Sequence, residues 1–271
     1  MSREEAQGHD LEDARWDTEV SMGTQLSEWS DSAWKRIFDF VCVFCALPLL
    51  LPLMLVVALA VRITSAGPAF FLQKRMGRNG HVFTIVKFRT MVHEKHSGQV
   101  VTTSSDHRFT PIGPFLRRWK LDEVPQLLNV LAGQMSLVGP RPKVPEHEPE
   151  VLHSRPGVTG AATIVFAREE RALDRIPRED LNAFYNSTVL PTKRQLDAAY
   201  MARATFSSDL MLILKTVAGR WDIRLMETLL RIQGQDKQAS RRRSRAITTW
   251  VLPRLVPSSM RVADDLQISM D

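Results

Sequence analysis

Arg117-Arg-Trp-Lys-Leu-Asp-Glu-Val-Pro-Gln-Leu-Leu-Asn-Val-Leu-Ala-Gly-Gln-Met-Ser-Leu-Val-Gly-Pro-Arg-Pro142 is the segment on which the reading of this chain turns. Asp122 and Glu123 stand where a helix is expected to begin. Leu127, Leu128 and Leu131 follow at helical spacing, and Gly133 closes the helix. A helix N-terminus carries roughly half a positive charge, so an N-cap Asp122 is expected to stay ionised, as a nucleophile or metal ligand must. The plainer reading is that the two acids only cap the helix. Adjacent helical residues do not share a face, so the pair would have to divide any chemical role. Pro140 and Pro142 weigh against the plainer reading, because they fix the backbone on both sides of Arg141 and hold its planar fork ready for a phosphate. An immobilised arginine beside acids at a helix terminus suits phosphoryl transfer with a divalent metal.

Just upstream, Gly113 to Lys120 mixes Phe115, Leu116 and Trp119 with Arg117, Arg118 and Lys120, which suits a short helix in a lipid headgroup layer. Further back, Pro68 to Gly80 and His81 to Met91 alternate apolar and polar residues about a Gly-containing turn, predicting a two-stranded hairpin. Lys74, Arg75, Lys87 and Arg89 are read as one basic side of it, either a solvated face or an anion-binding wall. His93 and His96, flanked by loop residues, make a poor metal pair.

Phe40 to Val61 is a run of 22 residues without a charge, enough helix to match a bilayer's hydrocarbon core of about 30 Å. Pro48 and Pro52 stand in its middle, where each removes a helix hydrogen bond. Both flanks are basic, Lys35 and Arg36 before and Arg62, Lys74, Arg75 and Arg78 after, which draws both ends toward the cytoplasm. A segment that enters one leaflet, bends and returns satisfies both features; a spanning helix and a buried core helix are the alternatives. Cys42 and Cys45 lie inside this apolar run and are read as small apolar side chains rather than a metal or redox pair. No cleavable signal peptide is expected, since the N-terminus is acidic and no small-residue cleavage site follows the run.

The chain of 271 residues, 44% hydrophobic, can bury a core, and its net charge of +6 is unevenly spread. Residues 1–33 hold nine acids and two bases, which reads as a disordered acidic arm. The remaining body is strongly basic and should favour polyanions: phospholipid headgroups, nucleotide phosphates or nucleic acid. Downstream of Pro142 a helix to about His153 is expected, then a rigid turn over Arg155 to Gly160. Further helices are expected over Glu169 to Leu190, from Pro191 to Phe206, and from Asp209 to Val217. The basic cluster Arg241 to Arg245 lies in a tail suited to anionic lipid or to disorder. A nucleic-acid-binding reading of that cluster leaves the apolar run unexplained.

Several motifs occur together and in order: Lys35-Arg36-x-x-Asp39, Pro52, Lys87-Phe-Arg-Thr-Met91, Asp106-x-Arg108-x-Thr110, Leu121-Asp-Glu-Val-Pro-Gln-Leu-Leu-Asn-Val130, Gly133-x-Met-Ser-Leu-Val-Gly-Pro-Arg-Pro142 and Arg155-Pro-Gly-Val-Thr-Gly160. On these the chain, from Trp34 to about Asp222, resembles the bacterial sugar transferase family, the monotopic polyprenyl-phosphate phosphoglycosyl transferases. The resemblance implies an α+β, mostly helical fold: a re-entrant membrane helix-break-helix over residues 34–64 and a catalytic domain over 65–222, carrying a short β-hairpin and interfacial amphipathic helices. Residues 223–271 form a basic extension outside it. The implied reaction moves a phosphosugar from a UDP-sugar to polyprenyl, typically undecaprenyl, phosphate and releases UMP, at the cytoplasmic face of the inner membrane. Membrane lipids are the expected surroundings, nucleic acid is not an expected partner, and a homo-oligomer is compatible with the resemblance. Asp122 would be the nucleophile, and Glu123 its assistant and the ligand of Mg²⁺. Arg141 would meet the nucleotide phosphates, with Lys87, Arg89, Arg117 and Gln126 as further substrate-binding candidates. Pro48 and Pro52 would break the membrane helix, which Lys35, Arg36 and Asp39 would anchor. Two departures stand out: Leu51 precedes Pro52 where many relatives have Ser, and no Trp follows Gly160. A membrane scaffold that has lost turnover is the competing reading, and retention of Asp122, Glu123 and Arg141 together argues against it.

Overall fold

The computed structural model describes residues 26–92, 107–145, 152–167, 169–174 and 176–219. The arm up to residue 25, His93, His96, Asp106 and the extension from residue 220 lie outside them. Its first elements are α1 (Glu28–Asp31) and the long α2 (Ala33–Thr64). The expected disordered arm ended at residue 33, yet α1 is folded. Ser27 caps it, and Trp29 Nε1 donates to Asp209 Oδ2 at 2.8 Å.

α2 is 32 residues long and helical throughout, so Pro48 and Pro52 do not interrupt it with a non-helical break. It is the one described helix long and apolar enough to cross a membrane. Much of its middle is bare: Leu49, Leu55 and Val56 are largely exposed in the isolated protein. One face of each end is covered. Lys35, Asp39 and Val43, spaced four apart, are buried at the start, and Met54, Val57 and Val61 toward the end. Lys35 forms a buried ion pair with Asp209. Arg36 donates to the carbonyls of Val130 and Leu131, and Asp39 accepts from Ser136 Oγ at 2.6 Å and Leu137 N at 3.2 Å. These three residues, expected to anchor the helix at the membrane, tie it to the globular domain.

β1 (Phe70–Met76) and β2 (Val82–Phe88) form the predicted antiparallel hairpin. Its turn places Asn79 and Gly80 at positive φ, as a two-residue primed turn requires. The register sets Arg75 opposite Phe83 and Phe71 opposite Lys87, so Arg75 and Lys87 share a face with buried Phe83 and Ile85. Lys74, opposite Thr84, points to the other face. The single basic wall is thereby corrected, because neighbouring strand residues cannot face the same way.

α3 (Gly113–Arg118), a 3₁₀ turn (Leu121–Glu123) and α4 (Gln126–Leu131) follow. Asn129 of α4 donates to Thr84 O and accepts from Val86 N, holding α4 against β2. β3 (Ser136–Val138) pairs in parallel with β4 (Gly157–Thr159). A Cβ on Gly157 would lie 2.1 Å from Gly139 N, so two motifs far apart in sequence meet backbone to backbone. The helix expected from Pro142 to His153 is absent at both of its described ends: Lys143 bridges Met76, and Leu152 bridges Arg78.

The remaining chain is helical: α5 (Ala161–Val165), α6 (Glu169–Leu173), α7 (Arg178–Phe184), α8 (Leu190–Met201) and α9 (Phe206–Val217). A π turn over Tyr185–Val189 joins α7 to α8, so Pro191 lies near the start of α8 within one continuous rod. The wider turn upstream accommodates the residue that cannot donate. α9 is capped by Thr205 through a capping box to Ser208, so the helix begins before Asp209, where it was expected to start. The largest core cluster joins α5, α7, α8 and α9 through Ile164, Phe184, Leu196, Tyr200 and Leu212. A second packs Val43 with Ile85, Val130 and Met135, and a third packs Val57 and Val61 with Phe88 and Leu116.

Candidate active site

Asp122 and Glu123 sit in the wall of an open cleft of about 2600 Å³, bordered also by Lys87, Arg141, Tyr185 and Asp197. They do not occupy a helix N-cap. Lys120 takes a left-handed conformation with φ 57°, reversing the chain after α3, and the acids lie in the 3₁₀ turn that follows. A lysine held there costs roughly 1 kcal/mol, which the packed turn must offset. The helix-terminus argument for an ionised Asp122 therefore fails. Burial instead raises its pKa, with a further push from Glu123, and Lys87, Lys120 and Arg117 oppose that only in part.

Glu123 behaves in the opposite way. Burial acts to raise its pKa, but Lys87, Lys120 and Arg141 outweigh it and hold the carboxyl well below the usual range. Lys87 Nζ lies 2.8 Å from Glu123 Oε1, and Arg141 lies 3.6 Å from the same oxygen. Glu123 in turn raises the pKa of Arg141. Two adjacent carboxyls are thus driven apart, one a fixed anion and one a group that titrates above its ordinary value. Such a split marks sites that assign different roles to paired acids. Asp122 Oδ1 is buried and has no hydrogen-bond partner among the described residues. A buried carboxylate oxygen left bare costs stability, and sites that react are where such groups persist.

The Pro140–Arg141–Pro142 turn is gripped from three sides. Gly157 N donates to Pro140 O at 2.8 Å, Arg75 donates to Pro142 O at 3.2 Å, and Asp197 Oδ2 accepts from Arg141 N at 3.4 Å. Asp197 Oδ1 also accepts from Ala162 N at 2.9 Å.

Of the sequence candidates, Asp122, Glu123, Lys87 and Arg141 come together. Gln126, 2% exposed, borders a small adjoining cavity with Glu123, Lys87 and Arg141. Arg89 and Arg117 line the cleft but serve other partners. Arg89 donates to the carbonyl and hydroxyl of Ser65 at the end of α2, both at 2.8 Å. Arg117 pairs with Glu170 and stacks on Phe109. Asn129 and Asp197 were missed, although each is a polar residue at a helical position otherwise facing core, and that is the signal that marks them.

No group of three or more His, Cys, Asp or Glu side chains suited to a metal occurs among the described residues. Two carboxylates, one with a bare buried oxygen, fit Mg²⁺, which commonly takes one or two protein carboxylates and completes its shell with phosphate oxygens and water.

Comparison with known proteins bears on this geometry. The family model described as bacterial sugar transferase matches residues 30–221. The UDP-glucose:undecaprenyl-phosphate glucose-1-phosphate transferase of Caulobacter vibrioides is 37% identical over 195 residues, 68% of this chain and 68% of that protein. The undecaprenyl-phosphate glucose phosphotransferase of Komagataeibacter xylinus is 40% identical over 171 residues, 58% of this chain and 31% of its relative. A UDP-N-acetylgalactosamine-undecaprenyl-phosphate N-acetylgalactosaminephosphotransferase of Aeromonas hydrophila is 39% identical over 143 residues, 48% of this chain and 34% of that protein. The chain therefore spans about a third of the length of the last two. With the family match covering the helix, the hairpin and every motif of the cleft, this chain belongs to the bacterial sugar transferase family.

Proposed function

We propose that this protein transfers a phosphosugar from a UDP-sugar to undecaprenyl phosphate through a phosphosugar-aspartyl intermediate on Asp122. The observation that carries the reading is the bare, buried Oδ1 of Asp122 beside the Lys87–Glu123–Arg141 cluster. The relatives' names, which specify UDP-glucose or UDP-N-acetylgalactosamine, supply the substrate class.

In the first step an Asp122 oxygen attacks the β-phosphorus of the donor. The bond to the bridging oxygen breaks, and UMP departs with its electron pair. In the second, a phosphate oxygen of the lipid attacks the same phosphorus and the Asp122 oxygen leaves, which restores the carboxylate. Splitting the transfer lets two phosphate-bearing substrates use one cleft in turn. Arg141 is placed to offset diphosphate charge, while Lys87 keeps Glu123 ionised beside the nucleophile. Glu123, with Asp122 before it reacts, would hold Mg²⁺. The ion supplies positive charge that neutralises the phosphates.

The lipid acceptor's phosphate stays at the bilayer surface, so the cleft must sit at that depth, on the cytoplasmic side where UDP-sugars are made. Support comes from α2: its start rests on α4 and β3 and its end on Phe88 and Leu116, all in one domain. A helix crossing about 30 Å of hydrocarbon would carry its ends to opposite faces, so a bent, re-entrant course fits better. Exposed Phe115 and Trp119 beside Arg117 and Arg118 suit an interfacial α3.

The test is UMP release from a panel of UDP-sugars with undecaprenyl phosphate and Mg²⁺. The wild type should turn over one or more donors and, without acceptor, gain the mass of one phosphosugar. Asp122→Asn should abolish both signals; an Asn variant with full turnover would reject the covalent role.

A further inference from the structure

The turn carrying Arg141 has its flanking carbonyls held by Gly157 and Arg75, while the amide of Arg141 itself goes to a carboxylate on another element, Asp197 of α8. That carboxylate is 8% exposed and reaches two loops at once: Oδ2 takes the Arg141 amide and Oδ1 takes the Ala162 amide in the first turn of α5. Its Oδ1 also lies 3.5 Å from where a Cβ on Gly160 would be, so both signature turns close around it.

We propose that Asp197 is a positioning residue for donor binding: by joining the Arg141 and Ala162 amides it sets where the Arg141 guanidinium meets the donor's diphosphate. The assignment rests on the phosphoglycosyl transfer reading, since it presumes a diphosphate beside Arg141. A buried carboxylate is an expensive way to hold two amides unless it fixes something that function needs. Here it fixes the backbone of the arginine nearest Glu123.

The charged groups facing Asp197 are Arg141 from the turn and Lys193 one helical turn earlier on α8; α5 contributes none. Burial raises the carboxyl's pKa to about 6, against the pull of the Ala162 and Arg141 amides and then of Lys193 and Arg141. The folded value stands above the unfolded one, so its contribution to stability is complete at low pH and is lost as pH rises through about 6. Removing the charge should therefore not unfold the protein at neutral pH.

Asp197→Asn in the full chain separates positioning from structure. It keeps one carbonyl oxygen for Ala162 and turns an NH₂ toward the Arg141 amide, a donor against a donor. The expected result is a KM for the UDP-sugar raised about tenfold with kcat changed less than about threefold. Tm should be unchanged or higher, and amide hydrogen exchange at Arg141 faster. In the wild type the donor KM should rise as pH falls through about 6, and the Asn variant should lose that dependence. Wild-type donor KM and wild-type exchange at Arg141 in the variant would overturn the proposal, as would a lowered Tm with kcat falling in parallel and KM unmoved. Should the wild-type protein release no UMP from any UDP-sugar, the transfer reading fails instead, and unaltered exchange at Arg141 would still sink the role of Asp197.

Discussion

Glu123 and Asp122 are adjacent in the chain, yet their surroundings give them opposite charge behaviour. Glu123 meets Lys87 and Arg141 at one oxygen; Asp122 is buried beside its neighbour's charge, which Lys87, Lys120 and Arg117 offset only in part. In the proposed transfer Asp122 must be ionised to attack, so its raised pKa would move the acid limb of the rate to higher pH than an exposed aspartate would give. Glu123→Gln removes one cause of that shift and frees Lys87 to attract Asp122 instead. The acid limb of kcat in this variant should therefore move to lower pH even as the rate drops, and a limb that stays put or rises would refute the coupling. That Asp122, Glu123 and Arg141 belong to one cluster was legible in the sequence, because Asp122-Glu123 and Pro-Arg-Pro are local patterns, and the two do meet in one cleft. Their protonation was not. The helix-cap argument put Asp122 in a field that does not exist, because Lys120 reverses the chain first, and burial is set by residues more than thirty positions away, such as Lys87. Arg89 and Arg117 illustrate the same limit: the resemblance named them for substrate, and both line the cleft, but their ties to Ser65 and Glu170 join residues far apart in sequence.

Elements with their own short-range signals were readable in advance. The hairpin announces itself through Asn79-Gly80 between alternating runs, and the end of α4 through Gly133, which adopts φ 81°. Two features lacked such signals. β3 and β4 pair across a gap of about twenty residues, and each is only three residues long. The π turn was hidden because Pro191 looks like a helix start, although the chain is already helical before it. That turn holds one residue more than an α-helix of the same height, and so fixes the rotation of α7 against α8. Inserting one alanine after exposed Ser187, in a turn that already absorbs an extra residue, should rotate the two by about 100°. Either Leu181 and Phe184 then leave the core, or Lys193 and Asp197 leave the cleft. Thermal unfolding and turnover should report a loss of about 3 kcal/mol in the first case or of activity in the second. Ser187→Ala, which keeps the chain length, should match wild type within about 0.5 kcal/mol. An insertion variant equal to wild type in both measurements would show that the turn sets no register.

At the scale of the molecule, α2 is roughly 48 Å of helix with both ends held by one globular body. Its apolar composition was plain from the sequence, whereas the tethering of its ends depends on Asp39, Lys35 and Arg36 meeting partners about a hundred or more residues later. Exposed Trp34 and Ile63 mark those ends. In a background with Cys42 and Cys45 replaced by Ala, Trp34→Cys and Ile63→Cys should both react with an impermeant maleimide from the cytoplasmic side. Reaction from opposite sides would establish a crossing helix. Beside this anchor runs β2, with Lys87 bonded to Glu123 and, two residues on, Arg89 bonded to the last turn of α2 at Ser65. Roughly 7 Å of extended chain thus links the anchor's tilt to the charge on the acid. In the proposed membrane-anchored state, bilayer thickness and lateral tension would tip such an anchor and become variables of the chemistry, so rates measured in short-chain detergent and in a bilayer should differ.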